Sequence, residues 1–331
     1  MPHSSHRAFA RKRALLLLAK LVFSGLLVWA VLHKIDVGSI FARLRGADIL
    51  WVLPALLLGP VAIVLSAWRW KLLSLGLLRL SEAVRYTWIG LFFGSILPGV
   101  IGGDVAKGVS LAAKENRTRD SRLSVSIIVD KLVGFWALLM LFDLIALGLM
   151  ATQPTLLPNL RGSLWLTLAA SAAGLATGVA ICHPRGAIQV GNLVGILPFA
   201  FLRGAASRVL SAIASYRGKA ALLASTAAIS MVLHGLNAVS FWLVLHALAI
   251  PASLWFAAVF YSLLSVLLAL PVSISGVGVR EVFAASIFTG FGMNPEAGVA
   301  FSWVLLGLSI PNALVGATIQ CWEIFRRSRT R

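Results

Sequence analysis

Two segments of this chain place a basic side chain beside helix-breaking proline and glycine in otherwise apolar surroundings. The first runs from Leu97 to Lys107 and the second from Leu270 to Arg280. At one fixed offset along the chain, the Leu, the Pro, the Ile and one Gly are identical, and the two cations coincide. Paired interrupted segments of this kind are typical of ligand sites inside membrane proteins, and a cation in each favours an anionic ligand.

We expect each segment to contain one half-helix that ends and a second that begins. Proline lacks the N–H group and clashes with the preceding turn, so the entering half-helices should stop at Pro98 and Pro271. The new half-helices would present free N–H groups and a positive dipole end, which a cation in the first turn opposes. Lys107 and Arg280 are therefore predicted to bind an anionic substrate rather than to stabilise a helix. The glycines expected to let the backbone turn and to line this site are Gly102, Gly103, Gly276 and Gly278.

Three acidic side chains lie in or near these segments, and each has two interpretations. Asp104 is either a helix N-cap or an active group. Glu281 follows Arg280 directly, so we expect the two side chains to point to different sides of a helix. Glu281 would then pair with a cation elsewhere or carry a proton. Asp130 is predicted to face the helix bundle, where a charge usually marks a pathway or a buried pair.

The composition predicts an all-α integral membrane protein. Hydrophobic residues make up 59% of the chain, charged residues make up 12%, and the mean hydropathy is +0.92. Apolar runs of about 20 residues recur, which is enough to cross about 30 Å of hydrocarbon. We predict about six full transmembrane helices and two re-entrant broken-helix hairpins, or eight or so segments if the hairpin arms are counted. The predicted helices are 14–32, 49–67, 123–150, 163–182, 220–249 and 299–322, and the hairpins are 84–113 and 254–290.

The formal net charge of +18 reflects cations that lie mainly on one side of these helices. With the N-terminus in the cytoplasm, the cytoplasmic segments hold 22 of the 29 Lys and Arg residues, Arg69 among them, and the outer loops hold 4. This bias is the positive-inside rule, and it predicts that both termini are cytoplasmic. No base-stacking pattern of aromatic residues interleaves the cations, which argues against nucleic acid as a partner.

This orientation also predicts an inverted repeat within a single polytopic domain. The hairpin 84–113 would enter from the cytoplasm, and the hairpin 254–290 would enter from outside. The two hairpins would then be related by a pseudo-two-fold axis in the membrane plane. The predicted domain covers residues 1–331, its halves are 14–150 and 163–322, and a basic cytoplasmic connecting loop lies at 183–219.

Three motifs occur in order along the chain. They are the Leu97–Lys107 segment, the run Val129-Asp130-Lys131-Leu132-Val133-Gly134 and the Leu270–Glu281 segment. Together they resemble the membrane region of the lysylphosphatidylglycerol synthase family, over roughly residues 14–322. The resemblance implies flipping of a lipid across the bacterial inner membrane.

The chain departs from this family in two respects. The family often has Arg where this chain has Lys107 and Lys131, which keeps the charge but loses the bidentate phosphate geometry. No soluble aminoacyl-transferase domain follows Arg331, so we expect the chain not to make lysylphosphatidylglycerol itself.

The sequence therefore predicts a lipid translocator of the bacterial inner membrane rather than an enzyme. Its partner would be a phospholipid or a polyprenyl-linked lipid whose anionic headgroup sits between the two hairpins. The chain has no P-loop, and its cysteines and histidines lack metal-ligand spacing, so no cofactor or metal is predicted. Two alternatives stay open: a membrane-embedded transferase acting on a lipid-linked sugar, and a non-transporting accessory subunit of a lipid or polysaccharide pathway. No oligomeric state is predicted.

The topology can be tested with impermeant thiol reagents. Residues 114–122 and 183–219 are predicted to lie in the cytoplasm and residues 151–161 outside. In a background whose native cysteines are replaced by serine, Thr118→Cys should react from the cytoplasmic face and Asn159→Cys from the opposite face. Labelling of both positions from one face would overturn the predicted topology.

Overall fold

The computed structural model describes residues 21–33, 35–96, 103–104, 107–108, 121–152, 157–182, 200–269, 273 and 276–329. Every regular element in these residues is an α-helix, which confirms the predicted all-α fold. The helices are α1 (Leu21–Leu32), α2 (Val37–Arg45), α3 (Ile49–Leu73), α4 (Leu80–Ile96), α5 (Ser121–Thr152), α6 (Leu157–Cys182), α7 (Ala200–Ala214), α8 (Ala220–Ala247), α9 (Leu254–Ala269), α10 (Val279–Gly290) and α11 (Pro295–Arg329).

Four of these helices are long and apolar enough to cross a membrane, namely α3, α5, α8 and α11. They contain 25, 32, 28 and 35 residues, and at a rise of 1.5 Å per residue each is longer than about 30 Å of hydrocarbon. They confirm four of the predicted spans, and the chain is a multi-pass membrane protein. α1 and α2 pass the same test together but bend by 90°, and α6 has a shorter apolar stretch at Leu164–Thr177.

In the second of the two segments predicted as hairpins, Ser273 and residues 276–278 are not helical and interrupt the helix. α4 is followed by further helical residues that include Lys107, and residues 270–278 separate α9 from α10. Re-entrance and the inverted repeat stay predictions. Three of the predicted site residues lie outside the described residues: Pro98, Gly102 and Pro271.

The described residues belong to two compact units. Unit 1 is drawn from Met1–Pro60, Arg85–Ser110 and Val239–Arg331, and unit 2 from Val61–Val84 and Leu111–Ala238. Both interrupted segments therefore contribute to unit 1. The predicted division into sequential halves stays a prediction.

Aromatic rings fill the centre of unit 1. Phe241 of α8 and Phe260 of α9 each lie 5.2 Å, between ring centroids, from Phe301 of α11, and Phe260 lies 5.7 Å from Phe288 of α10. These are tilted and edge-on arrangements, which the ring quadrupoles favour over face-to-face stacking. The cluster fastens α10 to its neighbours and so fixes the position of the helix that begins beside Arg280.

Small residues allow the helices of unit 1 to pack closely. A Cβ added at Gly316 of α11 would collide with the carbonyl oxygen of Trp88 and would lie 2.9 Å from Cβ of Phe92, both on α4. A Cβ at Gly298 would lie 2.7 Å from the carbonyl oxygen of Ala284 on α10. Such close approach is typical of membrane helices, because lipid offers no hydrophobic driving force between them and packing must supply the attraction.

In unit 2, side-chain hydrogen bonds join α3 to α5 and to the segment between α7 and α8. Trp70 Nε1 donates to Ser126 Oγ at 3.1 Å, and the buried hydroxyl of Tyr216 donates to the carbonyl oxygen of Leu73. Burial raises the pKa of Tyr216 to about 12, and the negative charge of Asp130 contributes to the shift. The phenol therefore keeps its proton and its role as a donor at physiological pH.

The glycine contact between α4 and α11 makes a prediction about stability. Gly316→Ala should destabilise the protein by roughly 1–3 kcal/mol because the new methyl group overpacks the contact with Trp88. Gly307→Ala on the same helix is the matched control, since nothing lies within 4 Å of a Cβ there, and it should leave stability unchanged or slightly raised. Thermal unfolding in detergent compares the two variants. Equal melting temperatures would show that α4 and α11 do not meet at Gly316.

Candidate functional site

The turn before α10 uses glycine where no other residue fits. Gly276 and Gly278 adopt φ of +79° and +85°, a backbone conformation that L side chains rarely take. A Cβ at Gly278 would also lie 2.8 Å from the carbonyl oxygen of Ser24 and 2.9 Å from Cβ of Leu27, both on α1. The turn therefore combines a left-handed backbone with close packing against α1.

Arg280 lies in the first turn of α10 and is held by two buried side chains. Its Nε donates to Ser302 Oγ of α11 at 2.9 Å, and its Nη2 lies 3.4 Å from Glu281 Oε1. Ser302 Oγ in turn donates to the same oxygen of Glu281 at 3.0 Å. The expectation that Arg280 and Glu281 point to different sides of the helix is therefore wrong. The long arginine side chain bends, and the single hydroxyl of Ser302 bridges both charges.

Glu281 also caps the helix that carries it. Its Oε2 accepts a hydrogen bond from the backbone N–H of Gly278 at 2.6 Å, and the backbone N–H of Arg280 donates to the carbonyl oxygen of Gly276 at 2.9 Å. The sequence predicts that the first N–H groups of α10 are free for a ligand. This prediction is wrong for the N–H groups of Gly278 and Arg280, which are both hydrogen-bonded within the protein. The carboxylate supplies the negative charge that the positive end of the helix dipole favours.

One end of the Arg280 guanidinium stays uncommitted in this arrangement. A guanidinium carries N–H donors on all three nitrogens. Nε and Nη2 are engaged, whereas Nη1 makes no hydrogen bond to any residue that the structure describes. Arg280 is therefore both fixed in position and able to donate charge-assisted hydrogen bonds to an anion.

The interrupted segment after α4 contains a second cation–carboxylate pair in the same unit. Lys107 Nζ lies 3.7 Å from Asp104 Oδ1, one helical turn earlier, and both side chains are largely buried. Gly90 of α4 makes room for the lysine, because a Cβ there would lie 2.7 Å from Cγ of Lys107. Gly103 packs against the Gly90 carbonyl group with no space for a Cβ. Gly103 therefore allows this segment to pack closely against α4.

The third pair lies in unit 2 and has the most complete geometry. One edge of the Arg69 guanidinium, on α3, donates two parallel hydrogen bonds to Asp130 of α5, through Nε–Oδ1 at 2.7 Å and Nη2–Oδ2 at 3.0 Å. Its Nη1 donates to Ser230 Oγ of α8 at 2.9 Å. Gly134 lies one turn after Asp130, and a Cβ there would be 3.0 Å from Nη1 of Arg69. Asp130 and Gly134, which both belong to the run from Val129 to Gly134, thus form one binding site for the guanidinium of Arg69.

Arg69 is a site residue that the sequence interpretation missed. The sequence places it among the cytoplasmic cations because it lies near the end of an apolar run, but it is part of α3 and its side chain is only 8% exposed. Its partner is 61 positions away in the sequence, so no local pattern could have identified the pair. The predicted span 49–67 ends two residues before Arg69, whereas α3 extends to Leu73 and so brings the arginine inside the helix.

The described part of the chain offers no cluster of three His, Cys, Asp or Glu side chains that could hold a metal ion. His234 lies close to the Arg69 pair, and its Nε2 is 2.9 Å from the carbonyl oxygen of Gly134. Each of the three predicted acidic residues lies beside a cation: Asp104 beside Lys107, Asp130 beside Arg69 and Glu281 beside Arg280.

Comparison with protein families matches residues 17–316 to the family described as Lysylphosphatidylglycerol synthase TM region. Comparisons with curated proteins and with solved structures gave no significant match.

The Arg69–Asp130 pair makes a prediction about stability. Asp130→Asn or Arg69→Gln alone should cost roughly 3–5 kcal/mol, because each leaves a buried charge without its partner. The double variant should recover much of that loss, since no charge is left unpaired. The control is Arg45→Gln, at an exposed cation, which should cost no more than about 1 kcal/mol. Denaturant unfolding in detergent measures these differences, and a double variant no more stable than the singles would show that the two charges are not coupled.

Proposed function

The chain belongs to the lysylphosphatidylglycerol synthase transmembrane-region family, and we propose that it moves a lipid with an anionic headgroup between the leaflets of the bacterial inner membrane. Family membership and the apolar helices make it a multi-pass membrane protein of lipid metabolism or transport. In the proposal it carries out no covalent chemistry, and its partner is a phospholipid or a polyprenyl-linked lipid.

This proposal rests on which nitrogens of the Arg280 guanidinium are hydrogen-bonded and which one is not. A positive charge inside a membrane domain is costly and is kept where it has a task. Glu281 and Ser302 fix two nitrogens of the guanidinium and leave Nη1 as a donor. A donor already held in place loses little freedom when it binds a phosphate, which favours binding. We assign the headgroup phosphate to this end of Arg280.

The Leu97–Lys107 segment contributes Lys107 to the same proposal. Lys107 and Arg280 both belong to unit 1, and each is paired with a carboxylate, so these four side chains together carry no net charge. A binding phosphate would accept from Nη1 of Arg280 and compete with Asp104 for Lys107, and its release would restore the Lys107–Asp104 pair. Reversible binding of this kind suits a translocator, which must let its substrate go on the far side.

The proposed cycle has the two hairpins open alternately to the two leaflets. The inverted repeat, with both termini in the cytoplasm, would make the inward-open and outward-open states similar in energy. The headgroup would cross near the membrane midplane, and the acyl or prenyl chains would stay in the bilayer.

The test measures lipid movement in liposomes that contain purified protein. Arg280→Ala should lower the rate of translocation at least tenfold, because it removes charge-assisted hydrogen bonds worth roughly 1.5–3 kcal/mol. Arg280→Lys should keep part of the activity, since it preserves the charge and loses the planar fork. Lys107→Arg should be tolerated. The exposed cation Arg45 is the matched control in unit 1, and Arg45→Ala should leave the rate unchanged.

A double variant separates phosphate binding from charge pairing. Arg280→Gln with Glu281→Gln removes both charges, while the glutamine oxygen at position 281 can still accept from the backbone N–H of Gly278. If Arg280 binds phosphate, the double variant should be as inactive as Arg280→Ala although it folds and inserts. Full activity in the double variant would show that Arg280 only neutralises Glu281, and the proposal would fail.

A further inference from the structure

A cavity of about 470 Å³ lies inside unit 1, beside the turn that leads to Arg280. Its walls come from α1, α4, α11 and residue Val277 of the turn. Small-molecule sites typically have volumes of about 300–1,000 Å³ and are mostly apolar, with a few placed polar groups. The size and lining of this cavity are in that range.

The mouth of the cavity is lined by exposed apolar side chains. Leu21 of α1 and Ile310 and Leu314 of α11 line the cavity, and all three side chains are more than half exposed. On helices that cross a membrane, exposed leucine and isoleucine side chains meet lipid tails. A molecule that enters from this side is therefore an apolar chain from the bilayer.

The cavity also contains one hydroxyl group whose proton is unused. Ser95 Oγ and Ser309 Oγ each donate to a carbonyl oxygen three residues earlier on their own helices, at 2.7 Å. Ser24 lines the same cavity and is 5% exposed, yet its Oγ has no hydrogen-bond partner among the described residues. A buried hydroxyl without a partner is costly, so a hydrogen-bond acceptor on a ligand would relieve it.

Ser24 is adjacent to the turn that carries the cation. Its backbone contacts Gly278, where an added Cβ would lie 2.8 Å from the carbonyl oxygen of Ser24. Val277, on the preceding position, lines the cavity, and Arg280 follows three residues after it. The apolar cavity and the Ser24 hydroxyl therefore lie beside the turn that precedes Arg280, to which we assign the lipid phosphate.

We propose that this cavity binds a fatty-acyl chain of the translocated lipid and that Ser24 donates a hydrogen bond to its ester carbonyl oxygen. The inference rests on the proposed function and narrows its substrate class. Acyl-ester lipids carry a carbonyl acceptor where the chain meets the headgroup region, whereas polyprenyl phosphates have no carbonyl group. The substrate is therefore a glycerol-ester phospholipid.

The first experiment locates the chain in the unmodified protein. The protein is placed in nanodiscs that contain phosphatidylglycerol with a photoactivatable diazirine in one acyl chain, and the cross-linked peptides are identified by mass spectrometry. We expect cross-links in α1, α4 and α11 near Ser24, Ser95 and Ala313. Cross-links confined to other helices would overturn the cavity as the acyl site.

The second experiment tests the ester carbonyl. Native mass spectrometry measures the retention of ester-linked phosphatidylglycerol, its ether-linked analogue and a polyprenyl phosphate. The protein should prefer the ester over the ether lipid by about fivefold, the size expected of one hydrogen bond. Ser24→Ala should abolish the preference, and Ser225→Ala, at an exposed serine of unit 2, should preserve it. Equal retention of ester and ether lipids by the unmodified protein, or tighter retention of the polyprenyl phosphate, would overturn the assignment.

A variant that fills the cavity provides an independent check. Ala313→Phe should lower the retention of both the ester and the ether lipid, because the ring occupies the space of the chain. Unchanged retention in a folded, monodisperse Ala313→Phe protein would also overturn the proposal. Ester-selective retention without movement of lipid in liposomes would contradict the translocator alone. Movement of lipid without ester selectivity would contradict the acyl site alone.

Discussion

A charge inside a membrane domain has to be balanced by protein where it lies, and the rest of this structure depends on that constraint. Asp130 is gripped by Arg69, Glu281 lies against Arg280, and Asp104 lies against Lys107. In two of the three pairs a serine hydroxyl from another helix completes the coordination. The polar contacts therefore join helices that hydrophobic packing in lipid would leave loosely specified.

Glycine residues provide the space that the buried cations occupy, because a long charged side chain needs room as well as a partner. Gly134 leaves room for the guanidinium of Arg69, and Gly90 leaves room for the aliphatic stem of Lys107. Gly278 has a different task, since its positive φ and its contact with α1 both exclude a side chain. The glycines of the sequence motifs are therefore explained by particular contacts rather than by general flexibility.

The membrane helices could be predicted from the sequence because their signal is local. An apolar run of sufficient length predicts a span without knowledge of its neighbours, and α3, α5, α8 and α11 were found this way. The partners of the charges could not be predicted, because Arg69 and Asp130 are distant in sequence and meet only when α3 packs on α5. Glu281 shows a second limit, since helix periodicity separates it from Arg280 while the length of the side chains and Ser302 bring them together.

The bridging hydroxyl of Ser302 has a mechanical consequence. It accepts from Arg280 and donates to Glu281, so both hydrogen bonds are lost if α11 slides along α10. Loss of either bond would leave a charged group under-coordinated in a medium of low dielectric constant, and the cost rises with the first ångströms of displacement. These two hydrogen bonds therefore hold α10 and α11 together near Ser302. We expect the two helices to move as one rigid body in any large conformational change, with the bending at other positions.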